Sequence, residues 1–519
     1  MADRVIKITP VFGIGAGAVF VLLALIIAPL TALLWRAEMP ATLGAADWAA
    51  VRFTLLQASL SATISVGLAV PVACALARRQ FVGRGMLITL LGAPFILPVI
   101  VAVLGLLAVF GRSGILSNAL GWVGLPPVHI YGLHGVVLAH VFFNLPLATR
   151  LILQGWLAIP SERFRLAASL GFGPREVARV LEYPMLRGIL PGAFMVIFMI
   201  CMTSFAVALA LGGGPKATTV ELAIYQAFRF DFDLGRAALL AGLQFGMGAM
   251  AALLMLWIAV PNTMGVGLDR TVQRWDVKSP WLDAVLLTLV ALFLLTPLLL
   301  ILLDGLPFIL SLPASVYEAA MRSLMVALAS MVISVGLALS LALMVVRLKR
   351  GGVLVESIGY LTLAASPLVI GSGLFILLFP LVDPVALALP VTALVNAVMS
   401  LPFALRTLVP AVRETEENFG RLADSLGMTG PARLRLIMWP RLRRPLGFSA
   451  GLAAALSMGD LGVIALFSDP QGATLPLQMY RLMAAYRLDQ AAGAAVLLLG
   501  MSLILFWIFD RGGRTNADV

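Results

Sequence analysis

Apolar runs of about 20 residues recur along almost the whole of this 519-residue chain. A run of that length crosses the hydrocarbon core of a bilayer as a helix, which satisfies its backbone polar groups within the segment. Charged residues make up 12% of the chain, against about 25% in soluble domains. No polar stretch between the runs is long enough for a soluble domain with its own core. The sequence therefore predicts an all-α polytopic membrane protein and excludes an ordinary soluble enzyme.

Twelve membrane spans are predicted. They lie near residues 11–35, 51–77, 86–110, 132–156, 187–211, 237–260, 281–303, 319–346, 354–380, 386–409, 443–467 and 490–509. The loops on the side of the two termini hold 27 of the 36 Lys and Arg residues. The positive-inside rule makes this side cytoplasmic, so both termini are expected there. The basic residues are spread over these loops, which favours lipid contact over a nucleic-acid partner.

One short polar motif is written twice, 256 residues apart: RLAASLG at Arg165–Gly171 and RLADSLG at Arg421–Gly427. An apolar motif, SVGLA, also recurs at Ser65–Ala69 and Ser334–Ala338. Six spans per half give the two halves the same topology, and a transport pathway is expected at their interface. The predicted divisions are a first repeat at 1–262 with its polar loop at 157–187, a cytoplasmic linker at 263–280, and a second repeat at 281–519 with its loop at 413–443.

Each repeated loop is expected to form a short helix, a break and a second helix. Gly171 suits the left-handed position that ends a helix, and Tyr183-Pro184 is expected to end the second helix. Phe164, Ala167 and Ala168 share a face of mostly small residues, which would let another protein's backbone approach closely. The alternative is a plain amphipathic helix at the membrane surface. Two copies at corresponding places favour docking.

This loop resembles the coupling loop of ABC-transporter permeases. That family's pattern is Glu-Ala-Ala, two residues, Leu-Gly, and a proline 13 residues after the glycine. The chain departs from it in both copies, with arginine in place of the glutamate and leucine in place of the first alanine. The resemblance implies twelve positions that couple to an ATPase: Arg165, Leu166, Ala167, Leu170, Gly171, Pro184, Arg421, Leu422, Ala423, Leu426, Gly427 and Pro440.

Longer strings narrow the resemblance. The segments Tyr131–Gln154, Leu209–Phe228 and Leu456–Phe467 are similar to the fused permeases for thiamine and its phosphates, and the likeness in layout covers essentially the whole chain. It implies a bacterial inner-membrane importer subunit, two copies of a separate ABC ATPase, and a periplasmic thiamine-binding protein. The chain contains no GxxxxGK[ST] phosphate loop. We therefore expect no enzymatic activity of its own, no cofactor and no metal.

Asp460 lies within the apolar run 452–467 and Ser204 is its counterpart at the 256-residue offset. An aspartate within a membrane segment is costly unless it faces a cavity or a partner, so a place on the substrate pathway is predicted. The alternative is that Asp460 caps backbone amides at a helix break beside Gly459 and Gly462.

Tyr225 and Tyr480 lie in polar segments that follow these two spans. They could stack on an aromatic ring or a cation of the substrate, although interfacial tyrosines of this kind more often anchor a protein in the membrane. Glu221, Asp231 and Asp233 make the first segment acidic and are interpreted as solvated charges, with docking of a binding protein as the alternative.

Two other functions remain open from the sequence. ABC importer permeases for ferric ion, polyamines or oxyanions share this layout. A proton-coupled secondary transporter also commonly has twelve spans in two parallel halves, but this chain has few acidic residues within its membrane segments.

Overall fold

The computed structural model describes residues 10–36, 43–92, 96–256, 258, 280–348, 351–363, 365–467 and 472–513. Regular structure in these ranges is helical throughout, as expected for an all-α membrane protein. The predicted linker at 263–280 falls outside them, apart from Pro280. The helices are α1 (Pro10–Arg36), α2 (Ala45–Arg78), α3 (Arg84–Leu90), α4 (Val99–Phe110), α5 (Ile115–Trp122), α6 (Leu133–Ala158), α7 (Ser161–Ser169), α8 (Pro174–Val177), α9 (Tyr183–Met202), α10 (Ala206–Leu211), α11 (Val220–Arg229), α12 (Leu234–Leu256), α13 (Pro280–Gly305), α14 (Ala314–Arg347), α15 (Gly352–Tyr360), α16 (Pro367–Leu378), α17 (Ala388–Ser425), α18 (Gly430–Arg433), α19 (Trp439–Met458), α20 (Gly462–Phe467), α21 (Leu475–Ala484) and α22 (Leu488–Gly513).

Eleven helices in the described ranges are long and apolar enough to cross a membrane. The ninth predicted span, near 354–380, is divided into α15 and the 12-residue α16. Pro367 disfavours helical geometry at the residue before it, and the Ser366 side chain accepts a hydrogen bond from the Val369 amide at 3.1 Å, which starts a new helix. The expectation of one unbroken span there was wrong. The third predicted span is likewise divided, with α4 beginning after Pro98.

The first helix of each predicted repeat packs on the other repeat. α1 contacts α14 and α16, while α13 contacts α4. At both crossings a glycine lies against a proline of the incoming helix. A Cβ atom on Gly373 would lie 2.5 Å from the Pro29 carbonyl oxygen, and one on Gly105 would lie 2.7 Å from that of Pro297. Gly105 and Gly373 are 268 residues apart, and so are Pro29 and Pro297. Each repeat therefore packs its first helix on the other repeat through an equivalent contact between a glycine and a proline.

The bundle has two ends, which we name the α7 end and the α11 end after the short helices they carry. At the α11 end, the Thr54 hydroxyl of α2 accepts a hydrogen bond from the Val220 amide at 2.9 Å. The Ser323 hydroxyl of α14 accepts one from the Leu475 amide at 2.8 Å. These contacts seat the non-spanning helices α11 and α21 against the start of a long span. A buried side-chain acceptor is the natural partner for an amide in the first turn of a helix.

At the α7 end, one ion cluster joins the predicted repeats. Asp283, in the first turn of α13, accepts hydrogen bonds from Arg78 at 2.5 and 3.0 Å and from Arg79 at 2.7 Å. Its carboxylate is buried while both guanidinium groups remain partly exposed. The cluster therefore ties the end of α2 directly to the start of α13.

Candidate functional site

The two repeated loops lie at the α7 end, and both end their first helix in the same way. The Gly171 amide donates to Ala168 O and the Phe172 amide to Ala167 O, each at 3.0 Å. The equivalent bonds in the second copy run from Gly427 to Asp424 and from Met428 to Ala423. This is the Schellman arrangement, which needs a left-handed residue after the helix. Gly171 and Gly427 supply it with φ of +69° and +64°.

The face predicted to dock by its small residues is only partly exposed, because Ala168 and Gly171 are exposed while its other members are buried. Phe164 and Ala167 are buried in the first copy, and Ala423 is buried in the second. Their side chains pack against the bundle because they are the apolar positions nearest to it, so Ala167 and Ala423 support the loop from beneath.

The outward surface of each loop carries two leucines instead. Leu166 and Leu170 are 60% and 61% exposed, and Leu422 and Leu426 are 55% and 62% exposed. They lie four residues apart, which places them on one side of the helical turn. Arg165 and Arg421 are exposed beside them. Each copy therefore presents an apolar pair next to a positive charge.

The prediction that the second helix of the first loop ends at Tyr183-Pro184 was wrong. The helix continues past Pro184, and its counterpart in the second loop continues past Pro440. Each helix runs on into the next span, which begins effectively at Pro174 in the first copy and at Gly430 in the second. A π-helical segment, 178–182 or 434–438, precedes each proline. Proline has no amide proton and clashes with the carbonyl four residues earlier, and one wider turn accommodates both effects. The prolines mark a bulge within a continuous helix.

The two loops are held by different contacts. In the first copy, the Trp156 indole donates to Glu182 Oε1 at 3.1 Å. In the second, α17 runs without a break from Ala388 to Ser425, so no separate short helix forms. There the Arg433 side chain bonds to both Glu416 and Asp424. The first contact ties α6, which precedes the loop, to the π-helical segment 178–182 that follows it, and the second set ties α17 to α18.

Ser204 and Asp460 lie at corresponding breaks, between α9 and α10 and between α19 and α20. Asp460 Oδ1 accepts a hydrogen bond from the Gly462 amide at 3.2 Å, which is the capping contact considered above. Its Oδ2 is buried and has no hydrogen-bond partner in the described part of the chain. The carboxylate thus caps a helix with one oxygen, and the Asn396 side chain lies beside it.

Tyr225 and Tyr480 lie above these breaks, toward the α11 end. The Tyr225 ring makes edge-to-face contacts with Phe205 at 5.2 Å and Phe230 at 5.8 Å between ring centroids. Burial raises the pKa of Tyr480, and its neighbour Tyr225 raises that pKa further. A Cβ atom on Gly462 would meet the Phe205 ring at 3.8 Å, so the two halves approach each other here. The tyrosines are half-buried at this junction.

The acidic segment was interpreted wrongly at one position. Glu221 is fully buried, and the side chains of Ser366 and Gln244 lie beside its carboxyl group. Burial raises the pKa of Glu221 to about 8. Asp231 pairs with Arg236 at 3.0 Å, as expected for surface charges. The sequence signal for Glu221 was its place in the first turn of α11, two residues after the capping Thr219.

Sequence reasoning also missed a cavity of about 490 Å³ at the α11 end. Six residues line it: Arg229, Gln478, Arg481, Leu482, Ala485 and Arg487. One of its arginines comes from α11, one from α21 and one from the turn after α21. Arg229 lies 252 positions before Arg481 and in the other half, so no local motif connects it to the two arginines of the second half.

Comparison with known proteins places the chain in a family. A scan for family models finds no match. The chain is 40% identical over 479 residues to the thiamine transport system permease protein ThiP of Salmonella typhimurium, covering 89% of each chain. It is 38% identical over 515 residues to ThiP of Escherichia coli, covering 96% of each. A probable sulfate transport system permease protein of Helicosporidium is 27% identical over 186 residues, which is 36% of this chain and 68% of that one. The chain is therefore a multi-pass inner-membrane protein that belongs to the thiamine transport system permeases of ABC importers.

Proposed function

We propose that this chain is the translocation subunit of an ATP-driven importer that carries thiamine, thiamine phosphate and thiamine pyrophosphate. The observation that carries the proposal is the pair of exposed leucine surfaces at the α7 end, because one fused chain needs two places to receive two ATPase copies. The names of the ThiP relatives supply the cargo.

The α7 end is then cytoplasmic, and so are both termini. Its loops hold most of the chain's positive charge, in agreement with the positive-inside rule. The α11 end faces the periplasm, where a thiamine-binding protein would deliver the substrate. ATP hydrolysis belongs to the separate ATPase subunit, and this chain supplies no catalytic group.

Transport proceeds by alternating access. Closure of the ATPase pair draws the two leucine surfaces together, and α9 and α19 pass this movement into the membrane because each is continuous with its loop. The breaks at Ser204 and Asp460 lie on these same helices. Opening at the breaks would expose the Asp460 carboxylate to a cationic substrate, for which a carboxylate is the suitable partner.

The test is uptake of labelled thiamine by cells that lack their own transporter and express this chain with its cognate ATPase and binding protein. We expect uptake that requires all three proteins and survives collapse of the proton gradient while ATP is maintained. Uptake without the ATPase that stops with the proton gradient would replace this proposal with a secondary transporter. Transport of ferric ion, a polyamine or sulfate in preference to thiamine would replace the cargo.

A further inference from the structure

The break that carries Asp460 lies at the interface between the two halves. A Cβ atom on Gly459 would lie 3.0 Å from the Pro98 Cα atom at the start of α4, and one on Gly462 would lie 3.8 Å from the Phe205 ring. Both neighbours belong to the first half, which therefore approaches the chain just before and just after Asp460. A transporter built from parallel repeats carries its substrate site at this interface. Asp460 is thus placed where a substrate would pass between the halves.

Asn396 of α17 holds the backbone around this carboxylate. Its side-chain amide donates to Ser457 Oγ at 3.0 Å and to Ser457 O at 3.5 Å. The same carbonyl accepts a hydrogen bond from the Asp460 amide at 3.3 Å, and the Asn396 side chain lies beside the Asp460 carboxylate. Asp460 Oδ1 also accepts from the Gly462 amide. One buried amide group therefore supports both the end of α19 and the charged residue that follows it.

The first half holds the equivalent carbonyl in a different way. Cys201 O corresponds to Ser457 O at the 256-residue offset, and it accepts a hydrogen bond from the Gln57 side chain of α2 at 2.9 Å. A carbonyl in the last turn of a helix has no partner within the helix, so a side-chain donor is needed in both halves. The counterpart of Asp460 in the first half is Ser204, which carries no charge. The same helix-end bond therefore comes with a charged neighbour only in the second half.

We propose that Asn396 is a positioning residue for recognition of the substrate's positive charge, because it holds the Asp460 carboxylate in the orientation in which an organic cation meets it. A carboxylate away from water attracts a cation strongly, but the attraction depends on where its oxygens point. Asn396 is itself buried, so it acts through Asp460 and does not contact the substrate. Functional groups keep their geometry through supporting neighbours of this kind. This inference rests on the proposed function and names the residue that makes the pathway select a cation.

The experiment compares uptake of thiamine with uptake of a neutral isostere in which carbon replaces the quaternary ring nitrogen. The complete transporter is used in cells, and both compounds are labelled and supplied at concentrations that saturate the binding protein, which is identical in every arm. The variants are Asn396→Leu, which removes the donor, Ser457→Ala, which removes the hydroxyl that orients the amide, and Asp460→Asn. Gln57→Leu is the matched control, because it removes the bond to the equivalent carbonyl near Ser204. Surface amounts are determined for each variant.

We expect the ratio of thiamine uptake to isostere uptake to fall about tenfold in Asn396→Leu, as for loss of a hydrogen bond to a charged group. It should fall less in Ser457→Ala and at least as far in Asp460→Asn. Gln57→Leu should keep the wild-type ratio even where total uptake drops, because a weakened helix end affects both compounds equally.

A wild-type ratio in Asn396→Leu would overturn the inference, and so would a ratio that falls as far in Gln57→Leu, since Asn396 would then be only structural. If Asn396→Leu does not reach the membrane, Ser457→Ala decides in the same way. A wild-type ratio in Asp460→Asn also overturns it, because the carboxylate would then not select the cation. A wild-type transporter that carries neither compound refutes the proposed function instead.

Discussion

The exposed leucines of the repeated loops allow the docking proposal to be tested quantitatively. The perturbation replaces Leu166 and Leu170, or Leu422 and Leu426, with serine. About three-fifths of each side chain is still accessible in the free chain, and complete burial of a leucine is worth roughly 1.5–3 kcal/mol. Covering the accessible part therefore contributes about 1–2 kcal/mol per leucine, or about 2–4 kcal/mol per loop. That difference corresponds to a loss of roughly 30-fold to several-hundred-fold in ATPase affinity at each loop.

The assay compares recovery of the ATPase with the purified chain, and thiamine uptake in cells, at matched surface amounts. Serine at an exposed site changes folding stability by only about 0.5 kcal/mol, so both pairs of substitutions should leave the amount of folded chain unchanged. Val82→Ser is the control, because Val82 is fully exposed at the same end but lies outside the loops. Normal ATPase recovery and normal uptake in both double variants would refute the docking role of these surfaces.

Three further predictions concern packing, charge and pH. Gly373→Ala should destabilise the chain by about 1–3 kcal/mol through overpacking against Pro29, measured by thermal unfolding in detergent, whereas Gly336→Ala, where a Cβ meets nothing within 4 Å, should not. Asp283→Asn should cost about 1–3 kcal/mol in the same assay, because Arg78 and Arg79 lose their shared carboxylate; an unchanged melting temperature would show that the cluster contributes nothing. Glu221 has a pKa raised to about 8, so the wild-type chain should lose stability as the pH rises from about 4.5 to 8, where the unfolded chain has already released this proton. Glu221→Gln should flatten that slope, and an equal slope in both proteins would contradict it.

Much of the helical layout could be predicted from the sequence because a bilayer permits few alternatives. Hydropathy is a local property, and it located eleven of the candidate spans without knowledge of their neighbours. The left-handed Gly171 and Gly427 were also predictable, since a helix end is determined by the few residues around it. The division at Pro367 was not predicted, although the preceding serine is a good capping residue. The residues on both sides of this division are apolar, so the hydropathy pattern predicted a single span.

The parts of the candidate site that could be predicted are those determined by residues adjacent in the sequence. Ala167 and Ala423 were expected to face a partner, but which side of a short helix is covered depends on the bundle beneath it. Glu221 was interpreted as solvated because it lies in an acidic polar segment, while its actual surroundings include Gln244 of α12 and Ser366 at the start of α16. The arginine cavity gave no sequence signal, because it is assembled from two halves of the chain.

The two halves agree in packing and differ in their charged groups, and this difference bears on the mechanism. Thr54 and Ser323 each accept a hydrogen bond from the first turn of a short helix at equivalent positions. Gly105 and Gly373 each lie against a proline of the first helix of the other repeat. By contrast, Asp460 corresponds to Ser204, and Glu221 corresponds to Pro476 at the 255-residue offset that relates Tyr225 to Tyr480. In the proposed alternating-access cycle the two exchanged helices and the two loops perform the same movement, so similar packing is expected in both halves. The proposed substrates, which are cationic and can also carry a phosphate group, impose no such symmetry. Because the two halves are fused in one chain, each half can carry different charged residues. The proposed pathway can then be asymmetric in charge while the helices around it move as a symmetric pair.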